Sequence, residues 1–385
     1  MKFTRAVVLV VVALIGSAFL VVPSGAAAKT TTAKPPAIKH VFVINLENKN
    51  YDETFGPASP ATYLSKDLPA KGALLEQYFA IGHVSLDNYI AEISGQGPSK
   101  QTQLDCTTYN DFVSTGTGDL GQALGDGCVY PKSIKTIADQ VAAKKLTWKG
   151  YMEDMSSPCL HPDLGGKDPY LVVGASNPSS AYATRHNPFV YFHSIVDSPS
   201  CQQNVVPLTA LDTDLASVKT TPNYSMITPN LCNDGHDATC ATGGPGGLEG
   251  INTWLQTWVP KILASPAFKK DGLLIVTFDE AEAVGDSADA TTCCNTPTYP
   301  NVTSASSTAE GPGGGRVGAV LVSPFIKPGT TSTTPYNHFA MLCSVEDIFG
   351  VKHLGYAGQS GLQCFGKDVY TNASGKASSG KAASG

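Results

Sequence analysis

Two stretches of this chain, Val41-Phe42-Val43-Ile44 and Leu273-Leu274-Ile275-Val276, run through four apolar residues with no polar residue between them. A strand with one wet face alternates in polarity, so unbroken runs of this kind belong to strands covered on both faces, as in a mostly parallel sheet with helices above and below. The periodicity around them agrees. Strands are expected at His40–Leu46, 146–151, 224–227, Gly272–Phe278 and 317–322, and helices at 86–94, 133–144, 208–218, 248–264 and His338–Phe349. The expected fold class is therefore α/β, a three-layer sandwich with a mostly parallel central sheet. The stretch 283–315, rich in Gly, Thr, Asn and Pro, interrupts the pattern and reads as a long surface excursion.

Of 385 residues, 42% are hydrophobic and 15% charged, against about 25% charged in an average domain, which excludes a disordered chain. The net charge of −6 argues against a nucleic-acid groove, so no nucleic-acid partner is expected. Lys2 and Arg5 precede an apolar run to Val22 and a small-residue end, Ser24-Gly25-Ala26-Ala27-Ala28. Residues 1–28 thus read as a signal peptide, 29–37 as a linker, 38–371 as the catalytic domain and 372–385 as a low-complexity tail. The product is expected outside the cell or on the envelope exterior, with no membrane span after signal cleavage. Ten cysteines without paired Cys-x-x-Cys spacing read as disulfides. Cys106 with Cys128, Cys232 with Cys240 and Cys343 with Cys364 are the plausible local pairs; adjacent Cys293-Cys294 are a vicinal bridge or two half-cystines with different partners.

In open α/β sheets ligands sit beyond the carboxyl ends of the strands. The residues found there are oxygen-rich: Glu47-Asn48, the segment His83-Val84-Ser85-Leu86-Asp87-Asn88 opening a helix, Asn230 to His236, and Asp279-Glu280. Carboxylates and amides gathered at one rim suit a hard divalent cation. Ser85 fits a helix cap, and the same geometry suits a nucleophile whose phosphate is held by free N–H groups. Gly313 to Gly318 matches G-x-G-x-x-G but precedes a strand, so it reads as a turn. No G-x-S-x-G, H-E-x-x-H or Walker loop is present.

Glu47-Asn48-Lys49-Asn50-Tyr51-Asp52, Ser85-Leu86-Asp87-Asn88-Tyr89, Arg185-His186-Asn187-Pro188-Phe189, Asn233-Asp234-Gly235-His236-Asp237, Thr277-Phe278-Asp279-Glu280 and Tyr336-Asn337-His338 together resemble the bacterial phosphoesterase family. That family contains secreted acid phosphatases and phospholipases C within the alkaline phosphatase superfamily. The resemblance implies an alkaline-phosphatase-like fold and one divalent cation (Mg, Ca, Mn or Zn) on Glu47, Asn48, Ser85, Asp279 and Glu280. It also implies Ser85 as nucleophile and Asn88 on a phosphate oxygen. Asp87 stands where relatives often carry Pro. His186 and His236 are the candidates for phosphate contact and leaving-group protonation, with His236 as the acid. His338 reads as a helix cap or site residue, His83 as packing. The expected substrate is a phosphorylated small molecule or lipid, more plausibly a monoester than a phospholipase C-type diester; the reading from another class is a non-catalytic exported protein binding an anion or wall polymer.

Overall fold

A computed structural model describes residues 34–170, 181–241, 243–305, 311–372 and 374–375. The signal peptide, most of the linker and nearly all of the tail expected from the sequence lie outside these residues. An eight-stranded sheet organises the rest: β1 His40–Leu46, β2 Ala73–Leu75, β3 Trp148–Met152, β4 Val205–Pro207, β5 Tyr224–Thr228, β6 Gly272–Phe278, β7 Ala319–Val322 and β8 Thr330–Ser332. The spatial order is β8-β2-β7-β6-β1-β5-β3-β4. From β6 to β4 every pairing is parallel, whereas β7 runs antiparallel to both β6 and β2. Every residue of β1 and β6 is buried, as their unbroken apolar runs require.

Helix α1, Ser85–Ser94, is buried on all sides and stops at Gly95, whose positive φ of 67° suits a residue without Cβ. It packs against α2, Ile137–Ala143, and α4, His338–Phe349, while α3, Gly247–Ala264, packs with the turn at 63–67 and the short helix at 266–271. These two helical groups cover a sheet whose central strands have no exposed face, which is the α/β sandwich expected. Boundaries differ where local chemistry intervenes. The helix expected from residue 133 begins at Ile137 because Thr136 and Asp139 form a capping box. The strand expected from residue 317 starts at Ala319, since Gly318 turns at φ 75° under the rings of Tyr51 and Phe55. The helix expected over 208–218 shrinks to Ala210–Asp214.

All ten cysteines are paired: 106 with 128, 159 with 201, 232 with 240, 293 with 294, and 343 with 364. Cys293-Cys294 is thus the vicinal bridge, set in the irregular 283–315 excursion. Among the described residues no helix is long and apolar enough to cross a membrane. β1 lies between β5 and β6, so the segments leaving all three strands meet at one rim.

Candidate active site

Backbone bonds tie the three strand ends together. Glu47 N–H donates to Asp234 O at 2.9 Å, Asp279 N–H to Leu46 O at 2.9 Å, and Lys49 N–H to Glu280 O at 3.2 Å. The chain turns after β1 through Asn48, whose φ of 56° is the left-handed conformation that Asn tolerates better than most residues. Its backbone N–H and that of Glu280 both donate to Asp279 Oδ1, at 3.2 and 2.6 Å, and among the described residues the buried Asp279 Oδ2 has no hydrogen-bond partner.

Ser85 is delivered by a strained turn. Val84, just before it, sits at φ 97°, which is costly for a β-branched residue and is sustained only where the surroundings over-determine it. Here Glu280 Oε2 accepts from Val84 N–H at 3.0 Å and from His83 Nδ1–H, while His83 Nε2–H donates to Asp289 O at 2.9 Å. With both ring nitrogens on acceptors His83 is held protonated: burial works against the charge, but Glu280 raises its pKa overall. From the helix side, Asn88 Oδ1 accepts from Ile81 and Gly82 N–H at 3.0 and 3.3 Å, and its Nδ2 donates to Gly82 O and Val84 O at 2.9 and 3.2 Å. Asn88, expected on a phosphate oxygen, thus spends both amide atoms on the backbone of this turn.

Glu47 is the hub. Ser85 Oγ–H donates to its Oε2 at 3.0 Å, Asn48 Nδ2 to the same oxygen at 3.2 Å, and Tyr89 O–H to Oε1 at 2.7 Å. Behind Tyr89, His186 stacks ring on ring at 5.3 Å between centroids. Its Nδ1 lies 3.1 Å from Asp234 Oδ2 and its Nε2 3.3 Å from Glu47 Oε1. Burial, with help from Arg185 and His236, holds the His186 pKa well below normal, so the ring is neutral. With Nδ1–H on Asp234, the Nε2 lone pair faces a carboxylate oxygen with no hydrogen bond between them. Only a proton or a cation makes such an arrangement favourable.

Electrostatics point the same way. Desolvation raises the pKa of Glu47, Asp234 and Asp279; Asp279 and Asp234 raise Glu47 further, Asp279 and Asp237 raise Asp234, and Glu280 raises Asp279. Asp87, also wholly buried, with no side-chain partner for either oxygen among the described residues, is raised by desolvation and by Glu280. A surplus of buried acids, an orphaned Asp279 oxygen and an orphaned His186 nitrogen fit a divalent cation. Glu47, His186 and Asp234 each bring a donor atom to within 4.8 Å of the others. Of the ligand set expected from the sequence, Glu47, Asn48, Ser85 and Asp279 lie together, Glu280 spends one oxygen on His83 and Val84, and His186 stands beside Glu47 as a further nitrogen donor atom.

His236, expected as the leaving-group acid, lies against Arg185. Its Nε2 accepts from Arg185 Nη2 at 3.1 Å and its Nδ1–H donates to Asp237 Oδ1 at 2.9 Å. With both nitrogens engaged in this way, the ring orients Arg185. His338 Nε2–H supports the Asp279 carbonyl at 2.6 Å while Nδ1 accepts from Tyr78 O–H at 3.0 Å. Burial lowers its pKa to about 4, so it acts as a neutral prop. The sequence set Asp234 at the rim without a role and read His83 as packing, and nothing in the sequence spacing marked Asp105, which caps Leu86 N–H at 3.1 Å from 19 residues away.

The model of the Phosphoesterase family matches residues 58–352. The chain belongs to the phosphoesterase family. It is 29% identical over 315 residues to a phosphate-repressible acid phosphatase of Penicillium chrysogenum, covering 81% of this chain and 60% of that protein. It is 24% identical over 324 residues to a phosphatidylinositol-3-phosphatase of Mycobacterium tuberculosis, covering 84% and 80%. This phosphoesterase-family chain spans about 60% of the length of the fungal acid phosphatases it matches. Among solved structures, a protein in the alkaline phosphatase superfamily from Vibrio parahaemolyticus is similar at a TM-score of 0.46 and 13% identity, over 83% of this chain and 69% of that one.

Proposed function

We propose that this protein is an exported, metal-dependent phosphoric ester hydrolase that acts on phosphomonoesters through Ser85. The observation that carries the reading is the Ser85 Oγ–H on Glu47 Oε2, at the amino end of a buried helix and inside a cluster of carboxylates with orphaned donors. A divalent cation held there by Glu47, Asn48, Ser85, Asp279 and His186 would acidify the serine hydroxyl and offset phosphate charge. Ser85 Oγ attacks phosphorus, the bond to the ester oxygen breaks, and water later cleaves the phosphoserine. Glu47 Oε2 is placed to take the Ser85 proton. The positive end of the α1 dipole favours the incoming anion.

Acid phosphatases among the relatives support a monoester substrate, and the mycobacterial relative's name adds phosphoinositides to the candidates. Five disulfides support an oxidising destination. Acid quenching during turnover of p-nitrophenyl phosphate should trap phosphate on the Ser85 peptide, and a chelator should abolish both turnover and trapping. Full activity in Ser85→Ala, or phosphate trapped on another residue, would overturn the assignment.

A further inference from the structure

We propose that Arg185 binds the phosphoryl group directly and makes the site prefer monoester dianions over diesters; the inference rests on the phosphoesterase reading of the same site. The side chain is only 2% exposed, and it is gripped at two points. Its Nε lies 3.5 Å from Asp105 Oδ2, and its Nη2 donates to His236 Nε2 at 3.1 Å. Each grip is itself anchored. Asp105 Oδ1 accepts the N–H of Leu86, the residue after Ser85, and His236 Nδ1–H donates to Asp237. The guanidinium therefore sits one carboxylate away from the first turn of α1. Among the described residues its Nη1 is buried and has no partner.

A buried N–H group left unspent is costly, and a planar cation pinned at Nε and Nη2 keeps its Nη1 edge in a fixed place. Carboxylates are abundant here, yet none of them takes Nη1. The unspent edge is what a tetrahedral oxyanion would occupy, since guanidinium groups bind phosphate oxygens through paired N–H donors. A monoester dianion offers three unesterified oxygens to share between Ser85's surroundings and Arg185. A diester monoanion offers two, one fewer to share between them.

The test uses the full-length, metal-loaded protein and two variants, Arg185→Ala and Arg185→Lys, the second keeping the charge should the first fail to fold. Inorganic phosphate binding is measured by calorimetry, and kcat/KM for p-nitrophenyl phosphate and bis-p-nitrophenyl phosphate. Loss of a charged hydrogen bond should weaken phosphate about 10- to 100-fold in Arg185→Ala and about 10-fold in Arg185→Lys. Monoester kcat/KM should fall at least about 100-fold and diester kcat/KM less than about 10-fold. Unchanged phosphate affinity in either folded variant, or equal losses on both esters, would overturn the clamp and leave Arg185 as a counter-charge for the acids. A wild-type protein that neither binds phosphate nor cleaves either ester would instead overturn the phosphoesterase reading together with it.

Discussion

The two ends of one strand pair make opposite use of buried charge. β1 and β6 run side by side from His40 opposite Gly272 to Leu46 opposite Phe278. At the amino end, His40 Nδ1 meets Asp271 Oδ1 at 2.5 Å, one base to one acid, both nearly enclosed. At the carboxyl end, Glu47, Asp234 and Asp279 crowd together with an unpartnered oxygen and an unpartnered ring nitrogen. The first arrangement is complete within the chain and serves the fold. The second gathers buried acids in excess of bases, the imbalance that marks a candidate functional site.

The comparison breaks most sharply at Glu47. Glu47→Gln should lower activity at least about 100-fold and reduce cation content in step, because a hub ligand loses its charge. The metal-free variant should be no less stable than the metal-free wild type, since a buried surplus charge has been removed. Undiminished activity with full metal content by elemental analysis would take Glu47 out of the site.

At the other end the effect should be purely structural. His40→Ala leaves Asp271 buried and unpaired, and should cost about 3 kcal/mol of stability in a urea titration. Activity per folded molecule should be unchanged; a selective loss of activity at constant stability would mean that the two ends are coupled.

A third buried acid sharpens the contrast by a smaller amount. Glu346, on α4, gives one oxygen to Leu354 N–H at 2.9 Å and keeps the other unpartnered, and burial pushes its pKa up to about 9. Between the unfolded value near 4.5 and about 9 the folded state holds the extra proton, so stability should fall as pH rises through that window. Over the single unit from pH 7 to 8 the contribution is about 1 kcal/mol, and Glu346→Gln should remove it. Parallel stability-against-pH curves for the two proteins would refute a protonated Glu346. The lesson is that a surplus acid far from the rim is neutralised by a proton, whereas at the rim a cation can take that place.

The physical terms of the comparison also separate what was legible in the chain from what was not. Unbroken apolar runs announced strands buried on both faces, and the rule that ligands gather at strand ends pointed to Glu47, Ser85, Asp279 and the segment leading to His236. Those inferences depend on periodicity and chain direction, which are local. The pairing of the local cysteines followed in the same way.

The roles of individual side chains did not follow, because a role depends on which atoms face each other across the fold. Asn88 lies in the right motif, yet its amide is consumed by backbone groups of 81–84. His236 lies at the right strand end, yet Arg185 and Asp237 occupy its two nitrogens. His186, 139 positions from Glu47, became a candidate nitrogen donor only when Tyr89 and Asp234 set its ring between them. Sequence by itself determined the architecture and the rim where chemistry would gather, since apolar periodicity and strand polarity are written along the chain. Only the tertiary structure decided which polar atoms are spent and which remain free, since hydrogen bonds between residues far apart in sequence are set by packing.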